Sequence, residues 1–194
     1  MTISLTPIFR RATGADFAAA AALMNSYYVD RLSPAERREG YLLATFTAEQ
    51  LAAMDAACAV LVAHVGENLA GCLCSADLGG ASIPPPAKAL RSFLQGIDPD
   101  GEHFADDSTM VYGPVCIDRA YRGHGILRGL IDRLRGLAES RFTTAVAFVS
   151  SSNPKSIAVH RDGMGMTVHG EFLFAGERLV ALSFPLRVEG TFRG

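Results

Sequence analysis

Apolar positions along this chain follow two spacings, and each change of spacing marks an element. Residues 8–11 read as a short strand, after which Thr13-Gly-Ala-Asp opens a helix with Phe17, Ala20, Met24 and Tyr27 at helical intervals. Ser33-Pro34 predicts a second helix start, with Ser as N-cap and Pro in the first turn, and Thr47 starts a third carrying Leu51 and Met54. Two β-type runs, 58–65 and 69–76, joined by Gly66-Glu67-Asn68, predict a hairpin. Residues 77–108 break the pattern: Gly79-Gly80, Pro84-Pro85-Pro86 and Asp98, Asp100, Glu102, Asp106 and Asp107 surround one helical stretch at 87–94. That segment reads as an insertion or lid over the core. An apolar strand at 110–117 leads into a glycine-rich turn at 122–125. A helix follows from 126 to about 140, with Leu127, Leu130, Ile131, Leu134 and Leu137 on its buried face. Residues 144–149 form a strand, 153–160 a short helix, and 167–174 with 178–186 an antiparallel pair turning at Ala175-Gly176-Glu177.

Composition narrows the function classes. A length of 194 residues fits one domain, and no repeat or linker divides the chain. With 49% hydrophobic and 20% charged residues the chain can build a core, which excludes wholesale disorder. A formal charge of −2 gives no pull toward nucleic-acid phosphates. The most continuous apolar run, 56–63, is far short of the roughly 20 residues of a membrane span. Arg10-Arg11 before the Ala-rich 18–22 imitates a signal peptide, but Gly14 and Asp16 interrupt it. Cys58, Cys72, Cys74 and Cys116 make no disulfide scaffold, and Cys72-x-Cys74 lacks a second ligand pair for zinc, so both read as small core fillers on one strand face. Glu102-His103-x-x-Asp106-Asp107 reads as an acidic solvated loop, and no metal is expected. These features fit a reducing cytoplasm.

The chemistry concentrates at Tyr121-Arg122-Gly123-His124-Gly125-Ile126-Leu127, where a strand turns into an amphipathic helix. Unpaired N–H groups and the positive helix end converge there, and glycines let the backbone approach an anion without Cβ interference. Arg122, His124 and Arg128 can add positive or hydrogen-bonding groups, so a diphosphate suits the turn. A Rossmann fingerprint fits poorly, because Gly123-x-Gly125-x-x-x-Gly129 is one residue off and Ser150-Ser151-Ser152 ends the next strand without a ribose-binding acid. No Gly-Lys-Ser/Thr triplet exists for a P-loop.

Arg122-Gly123-His124-Gly125-Ile126-Leu127 resembles the acetyl-CoA motif Arg/Gln-x-x-Gly-x-Gly/Ala of the GNAT superfamily of N-acetyltransferases, with Leu127 at the position where Gly or Ala is usual. Asn153-Pro-Lys-Ser156-Ile-Ala-Val-His160 is similar to the helix that closes that family's cofactor groove, with His160 in place of its Tyr and Gly165-Met166 one residue later than usual. The order of elements resembles the family over essentially the whole chain. The resemblance implies a single α/β domain over residues 1–194, with a central mixed, mostly antiparallel, twisted sheet of about seven strands flanked by helices on both faces. Residues 109–166 would form its acetyl-CoA-binding core. It also implies acetyl-CoA as donor and an amine of a small molecule, or an exposed protein amine, as acceptor. Implied cofactor contacts are Val115, Cys116, Ile117, Arg122, Gly123, His124, Gly125, Ile126, Leu127, Asn153 and Ser156.

Acetyl transfer needs a free amine lone pair, stabilisation of an oxyanion and a proton for the departing sulfur. Gly113-Pro114 within the strand suggests a bulge or break that frees the N–H groups of Val115 to Ile117 for the oxyanion. His160, then Tyr112, are the candidate proton donors. The general base is not readable. Tyr112, an acidic side chain through water, and no protein base all stay open. Tyr27, Tyr28, Asp30, Glu39 and Tyr41, with the 77–108 insertion, combine aromatic faces and carboxylates suited to a cationic amine. The final strands would allow pairing into a homodimer. Rival readings are a non-catalytic CoA-binding module, an NADP-linked oxidoreductase using Ser150, Ser151 and Lys155, and a cysteine hydrolase built on Cys116.

Overall fold

The computed structural model describes residues 6–81, 83–101, 103–138 and 140–187; Glu102 of the acidic loop lies outside them. The chain is a single α/β domain with one seven-stranded mixed sheet in the order β1-β2-β3-β4-β5-β7-β6. The strands are β1 (Ile8–Arg11), β2 (Ala59–Val65), β3 (Asn68–Asp77), β4 (Thr109–Ile117), β5 (Thr144–Ser150), β6 (Thr167–Phe174) and β7 (Glu177–Pro185). Among the described residues six helices flank it: α1 (Phe17–Ser26), α2 (Pro34–Arg37), α3 (Ala48–Ala57), α4 (Pro85–Ile97), α5 (Ile126–Ala138) and α6 (Pro154–Ala158). β4 pairs with β5 in parallel, whereas β1 with β2, β2 with β3, β5 with β7 and β6 with β7 pair antiparallel.

The contacts group into two parts, residues 1–76 with 112–134 and residues 77–111 with 135–194. In the first, α1 and α3 cover β2 and β3 around Met24, Leu51, Val60, Val62, Cys72, Cys74 and Cys116. Cys72 and Cys74 are the fillers that strand parity predicts, and burial pushes the Cys74 thiol up to about 12. The Thr13 start resolves differently from a plain cap. Asp16 is buried and accepts from Arg10 at 2.7 and 2.8 Å and from the Thr13 amide and hydroxyl at 2.7 and 2.8 Å, while α1 begins only at Phe17. The Arg10 guanidinium holds this carboxyl far below its ordinary value. Gly129 of α5 lies so close to β1 that a Cβ there would stand 2.1 Å from Phe9 Cζ.

In the second part, β5, β7 and β6 form an antiparallel array with α4 against β6. α4 is longer than the expected 87–94, because Pro84 serves as N-cap and Pro85 at the first position needs no hydrogen-bond partner. Ala87, Leu90 and Leu94 are buried, and Phe93 stacks on Phe172 at 5.6 Å. On α5, Leu137 is 40% exposed, not part of the buried face as its spacing suggested. Ala175 and Gly176, at φ 49° and 82°, make a two-residue hairpin turn between β6 and β7.

Candidate functional site

Tyr112, Val115, Cys116 and Ile117 lie on β4, which runs through a cis Gly113–Pro114 bond without ending there. The β4–β5 register covers three pairs, Thr109↔Thr144 to Val111↔Val146, so residues 112–117 lie outside that ladder. Beyond β4 the chain makes one 3-10 turn, Arg119–Tyr121, capped by Asp118, whose Oδ1 accepts the Ala120 N–H at 2.8 Å. Gly123 and Gly125 then take φ of 79° and 78°, conformations that L side chains rarely adopt. A Cβ added at either would meet nothing within 4 Å. These glycines therefore serve the turn's shape and leave open space in front of it.

The first bond of the α5 ladder at this end runs from the Gly129 N–H to the Gly125 carbonyl at 3.0 Å. The N–H groups of Ile126, Leu127 and Arg128 precede that ladder and face the helix's positive end. Gly123, His124, Gly125 and Arg128 are exposed, Ile126 is buried and Leu127 half-buried. An open, amide-rich turn with a cation at Arg128 fits an anionic diphosphate of the kind acetyl-CoA carries.

Arg122 does not point into this space as expected. Its Nε donates to the Ile117 carbonyl at 3.1 Å and its Nη1 to the Glu39 carbonyl at 2.6 Å, and the guanidinium sits 4.9 Å above the Tyr27 ring. Tyr27 is committed too, because its hydroxyl accepts the Arg119 N–H at 2.7 Å. The two side chains clamp the turn from behind. Tyr28 donates to Asp30 at 2.6 Å, which occupies that pair with each other. Nothing in the sequence marks this clamp, since its partners are backbone atoms 83 and 92 positions away.

Asn153, Ser156 and His160 share one further segment. Asn153 is buried and caps α6, its Oδ1 accepting the Ser156 N–H at 3.2 Å. After Ala158 the helix widens into a π turn, Val159–Gly163, and the Met166 N–H closes on the His160 carbonyl at 3.1 Å. A π turn holds one residue more than an α turn, which accounts for the late position of Gly165-Met166. His160 is buried, and its Nδ1 donates to the Ser156 carbonyl at 2.7 Å. Burial lowers its basicity, partly opposed by that carbonyl, so the ring is neutral near pH 7 and its one proton is already engaged. The Nδ1 proton of His160 is thus engaged by the Ser156 carbonyl. Tyr112 is almost fully buried, and burial drives its phenol far above the ordinary value, leaving it a poor acid and no base. The Cys116 thiol is pushed up to about 12 by burial, so it offers no thiolate to a hydrolase.

Among the described residues no group of three or more His, Cys, Asp or Glu could hold a metal ion, and no helix is long and apolar enough to cross a membrane. Sequence reasoning also missed a pair beside this segment, in which the buried Ser150 hydroxyl donates to Glu177. The only signal for it was a Glu directly after a two-residue turn.

A family model described as the acetyltransferase (GNAT) family matches residues 20–166. No curated protein matches the sequence. Among solved structures, the Salmonella typhimurium protein yncA, determined with its cofactor acetyl-CoA, is 19% identical with a TM-score of 0.60, covering 95% of this chain and 96% of its own. An N-acetyltransferase from Staphylococcus aureus Mu50 is 18% identical with a TM-score of 0.62, over 94% and 99%. The ribosomal-protein-alanine N-acetyltransferase of Brucella melitensis is 20% identical with a TM-score of 0.60, over 92% and 99%. At such identities the likeness is one of fold.

Proposed function

Since the chain belongs to the acetyltransferase (GNAT) family, it is an acyltransferase that uses acetyl-CoA as acetyl donor, and we propose which of its residues do the work. The diphosphate is held by the amides of Gly123 to Arg128, with the side chains of His124 and Arg128 at its rim. Supporting this are the two positive-φ glycines with open space before them and the bare N-terminal amides of α5. Hydrogen bonds to a charged group contribute about 1.5–3 kcal/mol each, so a few such amides account for much of a micromolar affinity. When bound, the donor supplies an activated thioester carbonyl. The N–H groups of Val115 to Ile117 are the proposed oxyanion donors, because they belong to the stretch of β4 outside the β5 ladder. Asn153 and Ser156 act at the α6 end through a cap that fixes the helix start.

Neither His160 nor Tyr112 is poised to move a proton, so the residues accelerate the reaction by orienting amine and carbonyl and by holding the oxyanion. His160 shapes the π turn, and Tyr112 anchors β4 at the acetyl end. The acceptor is an amine of a small molecule or of an exposed protein residue; its nitrogen attacks the thioester carbonyl directly, the C–S bond breaks, and the proton released by the amine passes to the departing thiolate. A cytoplasmic setting, consistent with four free thiols, and a homodimer through the outer strand β6, whose Val168 and Leu173 are exposed, belong to the same reading. The test is thiol release from acetyl-CoA across a panel of amines, with a thermal shift on adding acetyl-CoA or NADPH. Release together with stabilisation by acetyl-CoA alone is expected. Stabilisation without release would support a binding module, and stabilisation by NADPH alone would defeat the assignment.

A further inference from the structure

Where α5 meets the sheet, each of the two contributes a glycine to the contact. The registers Phe9↔Ala63 and Ala63↔Gly71 set these three residues in one row across β1, β2 and β3, on one face of the sheet. Along that row the side chain shrinks from a phenyl ring to a methyl to a hydrogen. The first turn of α5 lies across it with the opposite gradient. Ile126, the first residue of the helix, faces Gly71, and Gly129, about one turn later, faces Phe9. A Cβ added at Gly71 would stand 3.1 Å from Ile126 Cγ2, and one at Gly129 would stand 2.5 Å from Phe9 Cε1 and Cε2 and nearer still to Cζ. Helix and sheet thus interlock at two points, each glycine receiving the bulky side chain of the other element.

Gly71 also seats the other end of the turn. A Cβ there would stand 2.7 Å from Ile117 Cδ1 and 3.1 Å from the Cys116 carbonyl oxygen, and the neighbouring Ala70 carbonyl accepts the Asp118 N–H at 3.0 Å. Ile117 ends β4 and Ile126 begins α5, so Gly71 meets both ends of the connection that carries Gly123 and Gly125. Neither Gly71 nor Gly129 has a positive φ, unlike the two glycines of the turn. The backbone therefore does not require glycine at either position; the close approach does. All of these residues belong to the part formed by 1–76 and 112–134.

We propose that Gly71 and Gly129 are positioning residues for the acetyl donor: their interlock fixes the first amides of α5 relative to the end of β4, and with them the donor's affinity. This rests on the donor reading above. The amides of Ile126 to Arg128 sit on the helical turn that is held, so a displacement of α5 moves all three together away from the diphosphate.

The test is titration calorimetry with acetyl-CoA on wild type, Gly71→Ala, Gly129→Ala, Phe9→Leu and the Gly129→Ala/Phe9→Leu double variant. Leu lacks Cε1, Cε2 and Cζ, the three ring atoms nearest Gly129, so Phe9→Leu opens a gap that the alanine methyl refills. Each single variant is expected to bind about tenfold more weakly, with KM for acetyl-CoA raised and kcat within about twofold of wild type. The double variant should return to within about threefold of wild-type affinity. A merely structural contact would lower the unfolding midpoint and leave the dissociation constant of the folded protein unmoved. Should Gly129→Ala fail to fold, Gly71→Ala and the comparison of Phe9→Leu with the double variant decide. Wild-type affinity in every folded variant overturns the proposal, as does a double variant that binds no better than Phe9→Leu. Either result with tight binding by wild type overturns it alone; absence of binding by wild type overturns the donor reading beneath it.

Discussion

The turn at residues 118–128 and the segment at 153–166 treat their polar groups in opposite ways. The turn is clamped from outside by Arg122 and Tyr27, while the first amides of its helix stay outside the ladder. The second segment satisfies itself: Asn153 caps Ser156, His160 donates to the Ser156 carbonyl, and Met166 closes on the His160 carbonyl. Bare amides held rigid are a place for an anion, whereas groups already paired fix a shape. Binding energy is thus expected from the first region and positioning from the second.

Mutations can break that contrast, and the largest effect on folding is expected behind the turn. Gly129→Ala would drive a methyl into the Phe9 ring and should cost about 1–3 kcal/mol by urea denaturation. Stability equal to wild type would mean that α5 is free to shift, and the turn with it. Arg122→Ala removes two hydrogen bonds to carbonyls and the stacking on Tyr27. Its expected cost is about 1–2 kcal/mol, lowered by partial exposure, together with an increased KM for acetyl-CoA at near-constant kcat. A kcat loss at unchanged KM would place Arg122 in the chemistry instead. The smallest effect belongs to His160→Gln, for which kcat should stay within about tenfold, against the 10²–10⁴-fold that a working proton donor supplies. The pH dependence sharpens this point. Burial lowers the folded-state value of His160 below its ordinary value of about 6.5, so the unfolded chain binds the proton first. Stability should fall as pH drops from about 6.5 through the lower folded value, and His160→Gln should flatten that slope in urea titrations at several pH values.

How much of this was readable from the residues depended on distance along the chain. The glycine turn, its following helix and the β2–β3 and β6–β7 hairpins are local, written in φ-permissive glycines and in periods of 2 and 3.6, and they stand where the pattern put them. Asn153 as a cap is local as well. The Arg122–Tyr27 clamp, the Gly129–Phe9 contact, the burial of Asp16 and the Ser150–Glu177 pair each join positions that only the tertiary fold brings together. The α4 helix outran its expected limits because prolines, read as breakers, are favourable at a helix start. The π turn after Ala158 is a one-residue surplus that no periodic pattern reports.

Titration calorimetry with acetyl-CoA on the wild-type protein and on Gly125→Glu addresses the central claim most directly. The substitution sets a carboxylate and a side chain at a backbone φ of 78° where the space is otherwise open. Micromolar binding by wild type and at least about 100-fold weaker binding by the variant, with its circular dichroism retained, is the predicted result. Equal affinity in the two folded proteins would contradict it.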